Sequence, residues 1–170
     1  IMAFALRGVY FMVPSAPILE ARRSKAFVWG YGHIVVFASI AAVGAGLHVI
    51  GYVYDEHYHV STFTAIASIA IPVIVFMVAL YLLHAWLVST LPKNTPLQSI
   101  VILLPVVATI YAALGGPLWA CLLLVVISPI VIVLSFELGA WRALEAQLQI
   151  AIGKATIAGA REAAEDRAAG

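Results

Sequence analysis

The segment from about residue 26 to residue 50 contains no Asp, Glu, Lys or Arg and is almost entirely apolar. Further apolar segments at about 62–88, 98–114 and 118–136 also lack these four residue types. A membrane-spanning helix needs about 20 apolar residues, and all its backbone groups are hydrogen-bonded within the helix. Barrel strands would be about ten residues long, with alternating polarity. The pattern therefore predicts an all-α, polytopic transmembrane helical bundle with four full spans.

The composition agrees with the bilayer as the main surrounding medium. The chain has 170 residues, of which 64% are hydrophobic and 10% are charged, whereas soluble domains carry about 25% charged residues. The net charge of +1 gives no reason to expect a nucleic-acid partner. The only cysteine, Cys121, has no partner for an internal disulfide.

The two ends of the chain differ from the four segments. Residues 1–13 are apolar but too short to span a bilayer, so we expect a partial helix and a chain that is the C-terminal part of a longer protein. Residues 1–136 then form the transmembrane domain, and residues 137–170 form a largely helical cytoplasmic tail. The tail either continues the last span or lies on the membrane through apolar residues at helical spacing: Leu138, Trp141, Leu144, Leu148 and Ile152.

The basic residues predict the orientation of the spans. With four spans, the basic loops and the tail lie on the same side of the membrane. They carry Arg22, Arg23 and Lys25 before the first span, Lys93 after the second, and Arg142, Lys154, Arg161 and Arg167 in the tail. Because Lys and Arg concentrate on the cytoplasmic side, we expect a multi-pass protein of the bacterial inner (plasma) membrane.

The first span carries rows of small residues at four-residue spacing. One row is Ala38, Ala42 and Gly46, and the other is Ala41 and Ala45. Small residues allow transmembrane helices to approach closely. We therefore predict that these residues pack against other helices, within the chain, in a homo-oligomer or in other transmembrane proteins.

Three histidines lie in the predicted spans: His33, His48 and His84. Imidazole can ligate haem iron or the magnesium of a chlorophyll-type pigment, and intramembrane ionisable residues are candidates for function. His33 and His84 are predicted near the same side of the membrane and form the best pair for such a cofactor. Since all three lie near span ends, the simpler alternative is a hydrogen-bonded structural histidine without a cofactor.

The loop after the first span is a weaker candidate. Asp55, His57 and His59 would point the same way in an extended segment and could bind a divalent metal, although such loops are commonly just solvated. No nucleophile–base pair, zinc signature or phosphate-binding loop occurs, so we do not expect an enzyme.

The first span also resembles a known family. The sequence Phe-Val-Trp-Gly-Tyr-Gly-His at 27–33, followed by a Gly/Ala-rich run at 41–47, is similar to the low temperature requirement A (LtrA) family of bacterial membrane proteins. The segment 80–84 and the proline-containing closing hairpin also look similar. The resemblance covers about residues 5–142 and implies the C-terminal half of a longer family member. The family name records a growth phenotype, so the resemblance implies no particular reaction.

These observations favour a non-enzymatic membrane protein that packs against other transmembrane chains, as an accessory or structural subunit of a larger complex. Two alternatives remain open. The chain could be half of an LtrA-like transporter or channel, or it could be a haem- or pigment-carrying subunit.

Overall fold

The computed structural model describes residues 1–11, 15–21, 23–55, 59–88 and 95–135, together with residues 149, 150, 153 and 157. This part of the chain is helical and contains no strand, which confirms the all-α prediction. Its α-helices are α1 (Met2–Phe11), α2 (Ala16–Ala21), α3 (Ala26–Gly51), α4 (Thr62–Val88), α5 (Thr95–Ala113) and α6 (Leu118–Ser135). Short 3₁₀ turns precede and follow α3, at Arg23–Lys25 and Tyr52–Tyr54.

Three of the described helices are long and apolar enough to cross a membrane. They correspond to Arg23–Gly51, Thr62–Leu87 and Leu118–Ser135. The prediction of four full spans is therefore not confirmed. The predicted span 98–114 falls in α5, but α5 begins with the polar and proline-containing stretch Thr-Pro-Leu-Gln-Ser, and its described apolar part is Val101–Ala113. The predicted partial helix 1–13 corresponds to α1, and nearly all of the predicted tail 137–170 lies outside the described residues.

Helix α4 lies at the centre of the described bundle and packs against α3, α5 and α6. Its buried side chains therefore occupy more than one face, and the largest fully buried ones include Ile66, Ile69, Val73 and Phe76. Helices α5 and α6 pack together as a hairpin, whose turn uses Gly115 with a positive φ of 85°. Helix α1 packs against α6.

Helices α4, α5 and α6 each contain an internal proline. A proline has no N–H, so it frees the carbonyl four residues earlier. Pro105 frees the carbonyl of Val101, and the buried Ser128 hydroxyl of α6 donates to this oxygen at 3.0 Å. A neighbouring helix thus satisfies a backbone group that lipid could not.

Helices α3 and α4 approach each other closely at Gly46. Pro72 frees the carbonyl of Ser68, and a Cβ at Gly46 would collide with that carbonyl oxygen and lie 2.8 Å from its carbon. The Ser68 hydroxyl donates to its own helix at Ala65, at 2.8 Å. Glycine at position 46 therefore allows the two backbones to touch.

Candidate functional site

Five ring side chains from three helices meet near one end of the bundle. We call them the histidine–aromatic cluster: Tyr10 of α1, Trp29, His33 and Phe37 of α3, and His84 of α4. The ring centroid of His33 lies 4.7 Å from that of Trp29, 5.6 Å from Tyr10 and 5.7 Å from Phe37. The cluster surrounds one buried imidazole with aromatic rings.

The backbone fixes the protonation pattern of His33. Its Nδ1 lies 2.5 Å from the carbonyl oxygen of Trp29, one helical turn earlier. A carbonyl can only accept, so Nδ1 carries the proton, and the Nε2 of the neutral imidazole is an unprotonated acceptor. His33 is only 7% exposed, and no group in the described part of the chain donates to its Nε2.

The predicted pair of His33 and His84 does come together, with Trp29 as the shared neighbour. The indole of Trp29 lies 4.7 Å from the ring of His33 and 5.6 Å from that of His84. Gly32 helps α3 and α4 to approach here, because a Cβ at this position would overlap the side chain of Leu83. The two imidazoles therefore share one site, although the binding of haem or pigment by them remains a prediction.

His48 does not belong to this site. It lies fifteen residues after His33 on the same helix, or about 22 Å along its axis. Its imidazole is exposed to the surroundings of the chain, and its Nε2 lies 3.1 Å from the hydroxyl of Tyr52. This histidine has the hydrogen-bonded environment of a structural residue.

Lys25 connects the ends of α3 and α4 next to the cluster. Its Nζ donates to the carbonyl oxygens of Trp86 at 2.6 Å and Leu87 at 2.9 Å, and it lies 4.9 Å from the centroid of the Trp86 ring. A cation at a helix C-terminus donates hydrogen bonds to the free carbonyls and interacts favourably with the negative end of the helix dipole. Thus the start of α3 and the end of α4 lie at the same end of the bundle.

The predicted small-residue rows divide between two environments. Gly46 is buried against α4, whereas Ala38, Ala41, Ala42 and Ala45 are exposed on the surface of the described chain. The structure adds Gly30 and Gly44, where a Cβ would meet no atom within 4 Å. Contact of the exposed alanines with another chain stays a prediction.

The predicted metal site cannot be assembled from the described residues. Asp55 and His59 are exposed, and His57 lies outside the described part of the chain. Among the described residues no group of three or more His, Cys, Asp or Glu side chains is positioned to hold a metal ion.

Sequence reasoning missed the aromatic part of the cluster. Trp29, His33 and Phe37 follow each other at four-residue steps, which places them on one stripe of a helix, and this spacing could have identified them. No local pattern reveals Tyr10, because its approach to His33 depends on how α1 packs.

These features define the class of protein, a multi-pass α-helical integral membrane protein. The chain belongs to the family described as bacterial low temperature requirement A protein (LtrA), whose family model matches residues 1–135. The resemblance seen in the sequence is therefore confirmed, while the correspondence to the C-terminal half of a longer member is not. No curated protein and no solved structure matches the chain.

Proposed function

We propose that this protein is a non-enzymatic membrane subunit that packs against other transmembrane chains through α3, as an accessory or structural part of a larger complex. One observation carries this proposal. Between residues 38 and 45, the side of α3 that faces away from α4 presents small residues, whereas nearer the start of the helix the bulky side chains of Phe27, Ile34 and Phe37 are exposed on this side.

This small-residue face consists of Ala38, Ala41, Gly44 and Ala45. All four are exposed, and the space beside Gly44 is open to at least 4 Å. In lipid there is no hydrophobic force between helices, so association depends on close van der Waals packing, which small residues permit. On the opposite side of the same helix, Gly46 shows how closely a second helix can approach α3.

The test is the native mass of the protein in mild detergent, with identification of the chains that migrate with it. The matched variants are Ala41→Trp, on the small-residue face, and Leu123→Trp, at a position that is also exposed but lies on α6. We expect the wild type and Leu123→Trp to migrate with defined partner proteins, and Ala41→Trp to lose them. A chain that migrates alone, or two variants that behave alike, would contradict the proposal.

The proposal includes a location in the bacterial inner membrane, with the tail at 137–170 in the cytoplasm. The support is the concentration of basic residues in the predicted cytoplasmic loops. Lys25 also brings the basic start of α3 to the same end as the close of α4. A fourth span formed by α5, and a correspondence to the C-terminal half of a longer family member, also belong to the proposal.

A second candidate function is half of a transporter or channel. It is favoured by the buried acceptor of His33, since polar groups inside membrane domains often mark solute or ion pathways. Uptake into liposomes that contain the purified protein, compared with a His33→Phe variant, separates this candidate from a packing subunit. An optical spectrum of the purified protein tests the weaker haem or pigment alternative.

A further inference from the structure

The buried imidazole of His33 has a ring nitrogen, Nε2, whose hydrogen bonding is not explained by the packing of the helices. Its Nε2 is enclosed by protein, is unprotonated in the tautomer set by the Trp29 carbonyl, and receives no hydrogen bond from the described residues. A buried acceptor without a donor costs free energy, because the imidazole gives up its hydrogen bond to water when the protein folds. Native proteins usually supply a donor for such a group.

The neighbouring rings do not provide this donor. Tyr10, Trp29 and His84 each carry an O–H or N–H group and lie in or beside the cluster. In the described structure none of these groups is bonded to Nε2 of His33. Within the described part of the chain the acceptor therefore has no donor, and a bound molecule can supply one.

The surroundings indicate that this molecule is neutral. The spans α3, α4 and α6 contain no Asp or Glu, so no carboxylate within them could balance an added positive charge. Among the described residues, the charged side chains of α1 and of the 3₁₀ turn before α3 are cationic: Arg7, Arg23 and Lys25. A metal ion or an ammonium group would be buried without compensation, at a large desolvation cost.

We propose that Nε2 of His33 is the binding site for a small neutral hydroxyl group, which donates a hydrogen bond to the imidazole between α1, α3 and α4. Two sources have this chemistry: a water molecule, and the hydroxyl of a larger compound retained from the membrane. Water is the smaller and needs only a cavity of its own size and polar partners. The site is independent of the small-residue face on which the proposed function rests.

The experiment is nitrogen NMR of the full chain, labelled with ¹⁵N-histidine, in lipid nanodiscs at a pH where free imidazole is neutral. The chemical shift of Nε2 distinguishes a free lone pair from one that accepts a hydrogen bond. Magnetisation transfer from water to the ring protons of His33 detects bound water. The His33→Phe variant assigns the resonance, because it removes the imidazole and keeps a ring of similar shape.

The protein contains an internal control in His48, whose Nε2 lies 3.1 Å from the Tyr52 hydroxyl, a contact in which either group can donate. The Tyr52→Phe variant should shift the resonance of His48 and leave that of His33 unchanged. This comparison checks that the loss of a single hydroxyl partner is detected in the same sample.

We expect Nε2 of His33 to show the chemical shift of an unprotonated nitrogen that accepts a hydrogen bond, with transfer from water. The same shift without transfer, together with a retained compound in native mass spectrometry, would support the larger hydroxyl source. A free lone pair, combined with a higher melting temperature for His33→Phe, would overturn the proposal. In that case the acceptor is unsatisfied, and its removal stabilises the protein.

Discussion

Gly46 offers the most direct test of how α3 and α4 pack. A Cβ at this position would collide with the carbonyl oxygen of Ser68, and it would lie 2.8 Å from the Ser68 carbonyl carbon and 2.9 Å from Cγ1 of Ile69. The first two atoms belong to the backbone of α4 and cannot rotate away. The Gly46→Ala variant must therefore push the two helices apart.

The size of this effect follows from the contact distances. Ordinary van der Waals contact begins at 3.4 Å, so the Ser68 carbon alone requires a separation of about 0.6 Å. A gap of about 0.5–1 Å forfeits a quarter to a half of the dispersion energy of the atoms across it. Overpacking of this kind costs about 1–3 kcal/mol.

The matched control is Gly44→Ala, two residues earlier on the same helix, where a Cβ would meet nothing within 4 Å. Both variants gain the same helix propensity when glycine becomes alanine, about 0.5–1 kcal/mol. That gain cancels in the comparison, so the difference between the variants isolates the overpacking cost.

The assay is reversible unfolding in mixed detergent micelles, with helix content and tryptophan fluorescence as readouts. We expect Gly46→Ala to be less stable than Gly44→Ala by about 1–3 kcal/mol in the free energy of unfolding. Equal stability of the two variants would refute the close approach of α3 and α4 at this position.

Two further predictions concern the hairpin helices and the topology. The Ser128→Ala variant leaves the carbonyl of Val101, freed by Pro105, without its donor, and should lower the free energy of unfolding by about 1–3 kcal/mol. Ser135→Ala should have a smaller effect, because the hydrogen bond described for that hydroxyl goes to Ile132 of its own helix. Equal losses would contradict the role of Ser128. The loop that carries Lys93 is predicted to lie in the cytoplasm. A cysteine introduced by Lys93→Cys should therefore not react with a membrane-impermeant thiol reagent added to intact cells, but should react in inverted vesicles. Labelling in intact cells would contradict this orientation.

The all-α membrane fold was predictable because the chain contains long apolar segments without charged residues. In lipid the backbone groups of such segments must be hydrogen-bonded within the protein, which a helix achieves. The bounds of α5 were less predictable. The apolar pattern predicts a span over 98–114, whereas the structure begins the helix earlier, at Thr95, and ends it at Ala113. Because proline is tolerated in the first turn of a helix, a polar and proline-containing stretch can begin one, and hydropathy does not mark that start.

The candidate site was predicted only in part. The pairing of His33 with His84 followed from their similar depth, while the shared indole and the fixed tautomer depend on tertiary contacts that no spacing encodes. Likewise, Ala38, Ala42 and Gly46 were read as one row. A step of four residues turns a helix by about 40° beyond a full circle. The row therefore winds from the exposed side to α4, and only Gly46 reaches it.

The central claim, that α3 packs against another transmembrane chain, is tested most directly by photo-crosslinking in intact membranes. A photoreactive residue is placed at position 41, on the small-residue face, and separately at position 123, which is exposed on α6. The account predicts a defined protein adduct from position 41 and lipid adducts from position 123. Lipid adducts alone from both positions would contradict it.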